Sequence, residues 1–344
     1  MKKKEILFYI NILVIIIFII IINIYFNKKI NSNILLNNNN NNNKLNIYSL
    51  NNNNNLIKWD KSPKDFNFNL FNLEYKRRFP NKELPTKEFL IWFIGFFEGD
   101  GSFIIAKRGD LGIVIIQSEL NKKILNIIKD NLNIGSIIIE SKKDKTYKWI
   151  VQDRKNLYLL SLLFNGNIVL PIKSIKFNIF LSKLNYKLLI NNENLIEFNS
   201  ELILPTLNDT WLLGFTDSEG CFTCSILNNN DNAYRVRYIL TQKYDINKYV
   251  LEHILLLFNN YYNDNISIGS IVPHSKKNIW ELRINGLKNC NKILFYFNKF
   301  KLKTIKYNSF IKFKDILNDI NNKDHLNPIK RSLLKKKAKN INIK

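Results

Sequence analysis

The chain has 344 residues, enough for two domains of ordinary size, and carries 52 Lys and Arg against 28 Asp and Glu, a formal net charge of +24. Such an excess suits a polyanionic partner, and a 13% aromatic content is compatible with a nucleic-acid-binding globular protein. Three cysteines and three widely spaced histidines exclude a disulfide framework, make a zinc site on Cys221 and Cys224 a poor reading, and argue against hydrolysis through a histidine base.

The N-terminal segment, 1–28, stands apart. Lys2, Lys3 and Lys4 precede an apolar run at 6–26 that only Asn11 and Asn23 interrupt. As a helix this run would reach about 32 Å, enough to cross a bilayer, so it is expected to be a membrane helix or an exon-derived or targeting leader. Residues 29–58, with asparagine tracts at 37–43 and 51–55, cannot bury apolar surface and are expected to form a disordered linker.

From position 84 onward the sequence repeats itself. Leu84-Pro85-Thr86 opens one unit and Leu204-Pro205-Thr206 the next. Trp92-Phe93-Ile94-Gly95-Phe96-Phe97-Glu98-Gly99-Asp100-Gly101-Ser102-Phe103 is matched by Trp211-Leu212-Leu213-Gly214-Phe215-Thr216-Asp217-Ser218-Glu219-Gly220-Cys221-Phe222. Each copy then reaches a glutamine (Gln117, Gln242), an Ile-Gly-Ser-Ile string (134–137, 268–271) and a tryptophan (Trp149, Trp280). A Lys-rich string closes each, at 171–176 and 301–306, aligning Lys173 with Lys303. Two units are too few for a solenoid and suggest a pseudo-dimer about a two-fold axis. The expected fold is α+β, with pseudo-symmetric αββαββα units at 84–190 and 204–325 packed through the motif helices, and a linker at 191–203. Residues 326–344, rich in Lys and Arg, read as a solvated basic tail adding phosphate affinity.

In each copy an apolar helix runs into Gly-Asp-Gly or Ser-Glu-Gly. Gly95 with Gly99, and Gly214 with Ser218, place small residues on one helix face, which lets two backbones approach. Paired helices would bring Asp100 and Glu219 together at their ends. Two close carboxylates repel, and a hard cation such as Mg²⁺ resolves this while leaving positions for water and phosphate. Such a site can support in-line attack on a phosphodiester. The alternative, that both acids only cap helices, leaves the match between the two copies unexplained.

Each unit should also present an antiparallel sheet to the nucleic acid. Alternation over Tyr234-Arg235-Val236-Arg237-Tyr238-Ile239 puts Arg235 and Arg237 on one face, suited to bidentate contact with guanine or to phosphate. Arg283, Arg108, Lys276 and Lys277 are further DNA-binding candidates. The first unit departs from this pattern, because its return strand over 111–116 is almost wholly apolar.

The two motifs, with their flanking landmarks, resemble those of the LAGLIDADG homing endonucleases in the single-chain, two-motif form, over about 84–325. That resemblance implies a monomeric, Mg²⁺-dependent endodeoxyribonuclease cutting a long asymmetric site in double-stranded DNA and promoting intron mobility. It implies metal binding by Asp100 and Glu219 with the backbone of Gly99 and Ser218, and not by Glu98 or Asp217. It further implies catalytic roles for Gln117 and Gln242 near the reacting water, and for Lys173 and Lys303 at the edge of the site, where an ammonium would stabilise the scissile phosphate. The biased composition and exon-like N-terminus imply a mitochondrial gene, with membrane association through 6–26 as a corollary. A second reading on the same fold is an RNA-binding maturase assisting splicing of a host group I intron.

Overall fold

The computed structural model describes residues 65–201, 203–227, 233–262 and 266–342. The apolar run at 6–26 and the Asn-rich stretch at 29–58 lie outside the described residues. Among those described, no helix is long and apolar enough to cross a membrane.

The first unit begins earlier than the repeat suggests. Helix α1 (Asn69–Arg78) buries Phe71 and Tyr75 completely, Asn133 donates to the Tyr75 hydroxyl (2.5 Å), and Arg78 donates to the Lys155 carbonyl. Then comes α2 (Lys87–Asp100), whose start is fixed by the Thr86 hydroxyl accepting from the Phe89 amide at 3.1 Å. Every residue of α2 from Phe89 to Glu98 is buried, so this helix is apolar all round because it has no solvent face. Strands β1 (Gly101–Ile105) and β2 (Leu111–Ser118) follow, then α3 (Lys122–Leu132), β3 (Ser136–Ser141), β4 (Thr146–Val151), α4 (Arg154–Phe164) and α5 (Pro171–Ile190). The sheet is antiparallel in the order β1-β2-β4-β3.

The second unit repeats this plan. Helix α6 (Trp211–Glu219) leads into β5 (Gly220–Ile226) and β6 (Tyr234–Lys243), then α7 (Lys248–Tyr261), β7 (Gly269–Pro273), β8 (Ile279–Asn285), α8 (Leu287–Lys299) and α9 (Lys306–Asn321). Its sheet has the order β5-β6-β8-β7. The two-unit α+β expectation holds, with an extra helix closing each αββαββα unit. The linker at 191–203 is without regular structure where described but is strapped down. Ile196 and Ile203 are buried, and the Asn185 side chain exchanges two hydrogen bonds with the Ile196 backbone.

Matched aromatic clusters fill the space between each sheet and its helices. Phe103 touches Phe97, Phe164, Phe177 and Phe180, with ring centroids 4.9–5.4 Å apart. Its counterpart Phe222 touches Tyr238, Phe297, Phe310 and Phe313 at 5.3–5.5 Å. The tryptophan landmarks are not counterparts, however. Gln117 pairs with Tyr147 and Gln242 with Trp280, so Trp280 stands where the first unit has Tyr147. Each of these two rings is capped by the first lysine of the helix between its unit's two strand pairs, Lys122 of α3 over Tyr147 (4.0 Å) and Lys248 of α7 over Trp280 (4.4 Å).

What reads as a basic tail is a docked helix. Asn327 caps α10 (Pro328–Lys339) through its side chain and Pro328 occupies the first turn, a combination that starts helices. Leu334 and Ile341 are buried, Arg331 donates to the carbonyls of Leu227 (2.8 Å) and Ala233 (3.2 Å), and Asn342 donates to the Phe222 carbonyl (2.8 Å). The segment therefore covers edge strand β5 of the second sheet. Leu334→Ala is expected to cost about 2–5 kcal/mol in chemical denaturation, whereas Lys336→Ala on the exposed side should stay within about 0.5 kcal/mol.

Candidate active site

Helices α2 and α6 cross where neither has a side chain. A Cβ on Gly95 would stand 2.2 Å from the Trp211 carbonyl oxygen, and one on Gly214 would stand 1.9 Å from the Trp92 carbonyl oxygen. One turn on, a Cβ at Gly99 would meet the Ser218 hydroxyl at 2.0 Å. The small-residue spacing thus sets the approach, and Asp100 and Glu219 end their helices side by side.

Both carboxyls are held above the usual carboxylate range, and in both cases burial is the main cause. For Glu219 the next contribution is the charge of Asp100. The Gln117 hydrogen bond and the ammonium groups of Lys306 and Lys173 pull Asp100 the other way. Two hard oxygen donors that repel one another fit a hard divalent cation bringing its remaining ligands as water or phosphate. Among the described residues no group of three or more His, Cys, Asp and Glu gathers, so a zinc-type ligand set is missing. Cys221 and Cys224, three apart on β5, point to opposite faces of the sheet.

The inner motif acids have another task. Glu98 is fully buried and pushed up to about 7 by burial. Its carboxylate accepts from the Val169 (2.9 Å) and Leu170 (2.5 Å) amides at the head of α5, and from the Trp211 indole of the other unit (2.6 Å). Asp217 mirrors it, accepting from the Lys303 and Thr304 amides, the Thr304 hydroxyl (2.6 Å) and the Trp92 indole (2.9 Å). Both acids are spent on these bonds, in keeping with their exclusion from the metal set.

Lysines flank the pair from both units, but one is not the residue the string match selected. Lys173, near the start of α5, donates to the Gly101 carbonyl, and burial pushes its ammonium down to about 8. Its counterpart is Lys306, which donates to the carbonyls of Ser218 (2.6 Å) and Thr216 (3.2 Å) and is also lowered by burial. Lys303 is exposed, with its ammonium 5.6 Å from the Trp92 ring. Its backbone is anchored on Asp217, which turns the side chain outward and brings Lys306 to the acids, one helical turn later. The Ser218 carbonyl, expected to face a metal, is engaged by Lys306. Lys306→Met removes an ammonium that lowers both carboxyls, so Asp100 and Glu219 should titrate higher still in the variant, while Lys303→Ala should leave them nearly unchanged.

The glutamines also divide. Gln117 donates to Asp100 at 2.6 Å and is held by Asn121 at 3.1 Å. Gln242 accepts from Asn247 at 3.2 Å and donates to its own strand, at the Thr241 carbonyl, so the glutamine bond to a helix-end acid is one-sided. The asparagines were not foreseen. Asn121 accepts from the Ile305 amide beside Lys306, and Asn247 from the Ile172 amide beside Lys173, so each glutamine's support reaches into the other unit. Their spacing from the glutamines, four and five residues, was the available signal.

On the open face of the second sheet, Arg235, Arg237, Arg283 and Asn285 line a cavity of about 270 Å³. Burial and the neighbouring charges of Arg235 and Arg283 pull the Arg237 guanidinium below its usual range. Arg283 is oriented by the largely buried Glu281 (2.5 and 2.6 Å). Arg108, paired with Asp110, sits at the exposed β1–β2 turn, and Lys276 and Lys277 sit at the exposed β7–β8 turn.

A model of the LAGLIDADG endonuclease family matches residues 93–184 and 212–317, more than half of the chain. The chain is 35% identical over 280 residues to a Neurospora crassa protein named "Probable intron-encoded endonuclease 4", with 76% of this chain and 47% of that protein covered. It is 26% identical over 279 residues to a probable intron-encoded endonuclease of Kluyveromyces lactis, covering 65% of this chain and 64% of the relative. The chain therefore spans less than two thirds of the length of either relative. The crystal structure of the LAGLIDADG meganuclease I-AabMI bound to uncleaved DNA shares the fold, with a TM-score of 0.60 at 22% identity, covering 74% of this chain and 99% of that one.

Proposed function

The chain belongs to the LAGLIDADG endonuclease family, and from that membership we propose that it is a site-specific homing endonuclease that hydrolyses phosphodiesters of double-stranded DNA. The observation that carries this reading is the pairing of Asp100 and Glu219 across the Gly95–Gly214 crossing, with a half-buried lysine from each unit beside them. Asp100 and Glu219 would hold Mg²⁺, which when bound supplies positive charge at the scissile phosphate and orients the attacking water.

The chain's own residues do the rest. Gln117 fixes the Asp100 carboxylate through its amide hydrogen. Lys173 and Lys306 place two ammonium groups, one from each unit, where negative charge develops on the phosphate oxygens, and burial keeps water from weakening that interaction. Arg235, Arg237 and Arg283 contact the duplex from the second sheet. Relatives named as intron-encoded and a composition dominated by Ile, Asn and Lys support an intron gene in a mitochondrial genome. The run at 6–26 is read as a leader or anchor that serves location and not chemistry.

The test is to select duplexes from a randomised library with the full chain, then incubate the selected DNA with Mg²⁺ or with EDTA. One long asymmetric site, cut only with Mg²⁺, is the expected outcome. Tight binding to a structured intron RNA with no duplex selected would replace this reading by the maturase.

A further inference from the structure

The open faces of the two sheets are chemically unlike, although register makes them equivalent. Aligning Gly101 with Gly220, Gln117 with Gln242 and Tyr147 with Trp280 sets the partners across the repeat. Gly112 then stands where the second sheet has Arg237, and Ile150 where it has Arg283. Ile104 replaces Thr223, and Ile116 replaces Thr241. The result is a set of aliphatic side chains turned to solvent on this face: Ile104 is 41% exposed, Ile116 42% and Ile138 45%, around the half-buried Ile150 and the buried Val114. Ile116, Lys148 and Ile138 lie directly across from one another on β2, β4 and β3.

Exposed isoleucines gain nothing for the fold. Apolar surface of this kind is stabilised only when something removes it from water. The occupant is indicated by what surrounds it. This face is the repeat partner of an arginine-lined face, and it is flanked by basic turns, Lys107 and Arg108 at β1–β2 and Lys142, Lys143 and Lys145 at β3–β4. Charged turns that grip phosphates around an apolar floor suit the major groove of a duplex whose protruding groups are themselves apolar. The thymine C5-methyl is the one such group a base pair presents there.

Resting on the DNA-cutting reading, we infer that the first sheet recognises thymine methyl groups through Ile104, Ile116 and Ile138. The half-site read by this sheet is thymine-rich, and the half-site read by the second sheet contains guanine contacted by Arg237 and Arg283. The enzyme thus discriminates in one half by apolar contact and in the other by charge-assisted hydrogen bonds.

Replacing thymidine by deoxyuridine in the selected duplex removes the methyl and leaves base pairing intact. Binding is measured in EDTA, so that the duplex stays uncut. Each deoxyuridine in the first sheet's half should weaken binding about fourfold per contacted methyl, and those in the other half should have little effect. An Ile116→Ser, Ile138→Ser double variant identifies which half is which. Both side chains are exposed, so the fold stands, and the variant should lose the thymidine preference in one half only. A site that tolerates deoxyuridine equally in both halves, or a thymidine preference unchanged in the variant, overturns the inference while leaving the nuclease reading intact. A chain that selects no duplex at all sinks that reading, and this inference with it.

Discussion

Asp100→Asn and Glu219→Gln, singly or together, should abolish cutting while the chain still binds its site. Under the proposed function either change neutralises one of the two carboxylates that would hold the cation, and the amide oxygen that replaces it brings no negative charge. Cleavage should fall at least about a thousandfold, or about 4 kcal/mol of transition-state stabilisation. Binding should survive, and tighten at low salt, because both carboxyls sit in a buried, mutually repelling pair facing a polyanion. The singles should each cost nearly as much as the double, because the two acids would act as a unit. Plasmid nicking and cleavage, run beside gel-shift titrations in EDTA, would check it. Undiminished cutting by the double variant would remove both acids from the chemistry.

Gly214→Ala is expected to be the most damaging substitution of a single methyl group. That Cβ would stand 1.9 Å from the Trp92 carbonyl oxygen and 2.8 Å from the Phe96 amide nitrogen, both rigid helix backbone. Alanine gains about 1 kcal/mol of helix propensity over glycine. The clash outweighs it, because the two helices must separate, which unpacks a core of buried Trp and Phe side chains on either side. A loss at or above the upper end of overpacking penalties, about 3 kcal/mol, should appear in denaturant titration. Gly95→Ala should follow closely, at 2.2 Å from the Trp211 carbonyl. Gly99→Ala should also destabilise, since rotating Ser218 relieves the contact with its hydroxyl at 2.0 Å but leaves its Cβ 2.4 Å away. An unchanged denaturation midpoint in Gly214→Ala would mean that the crossing is looser than this geometry.

Much of this molecule was legible in the repeat. Two matched motifs announced paired helices, and the position of Asp100 against Glu219 announced the acids that meet. What stayed hidden depended on phase and on contact between units. Lys-x-x-Lys strings at 171–176 and 301–306 invite a gapless match, yet the Asp217 anchor on the Lys303 and Thr304 amides shifts the second by one turn, so that Lys306 reaches the site. Trp149 and Trp280 share a letter but not a register. Helix α10 was concealed by its lysines, although Asn327-Pro328 marks its start and Leu334 its buried face. Asn121 and Asn247 hold the glutamines of their own units, but their link to backbone amides in the opposite unit is one that a one-dimensional comparison cannot display.

The crossed indoles bear on how such a protein could be rebuilt. Trp92 belongs to the first unit and serves the Asp217 carboxylate of the second, while Trp211 serves Glu98. A chimera that joins this first unit to a foreign second one must therefore import an indole at the Trp211 position and an acceptor at the Asp217 position. Without them a buried carboxylate loses its donor on one side and an indole N–H loses its acceptor on the other. Exchange of one unit between parents is consequently not a matter of the sheets alone. Compatibility between parents is set three residues to either side of the crossing glycines, by two buried Trp–acid pairs.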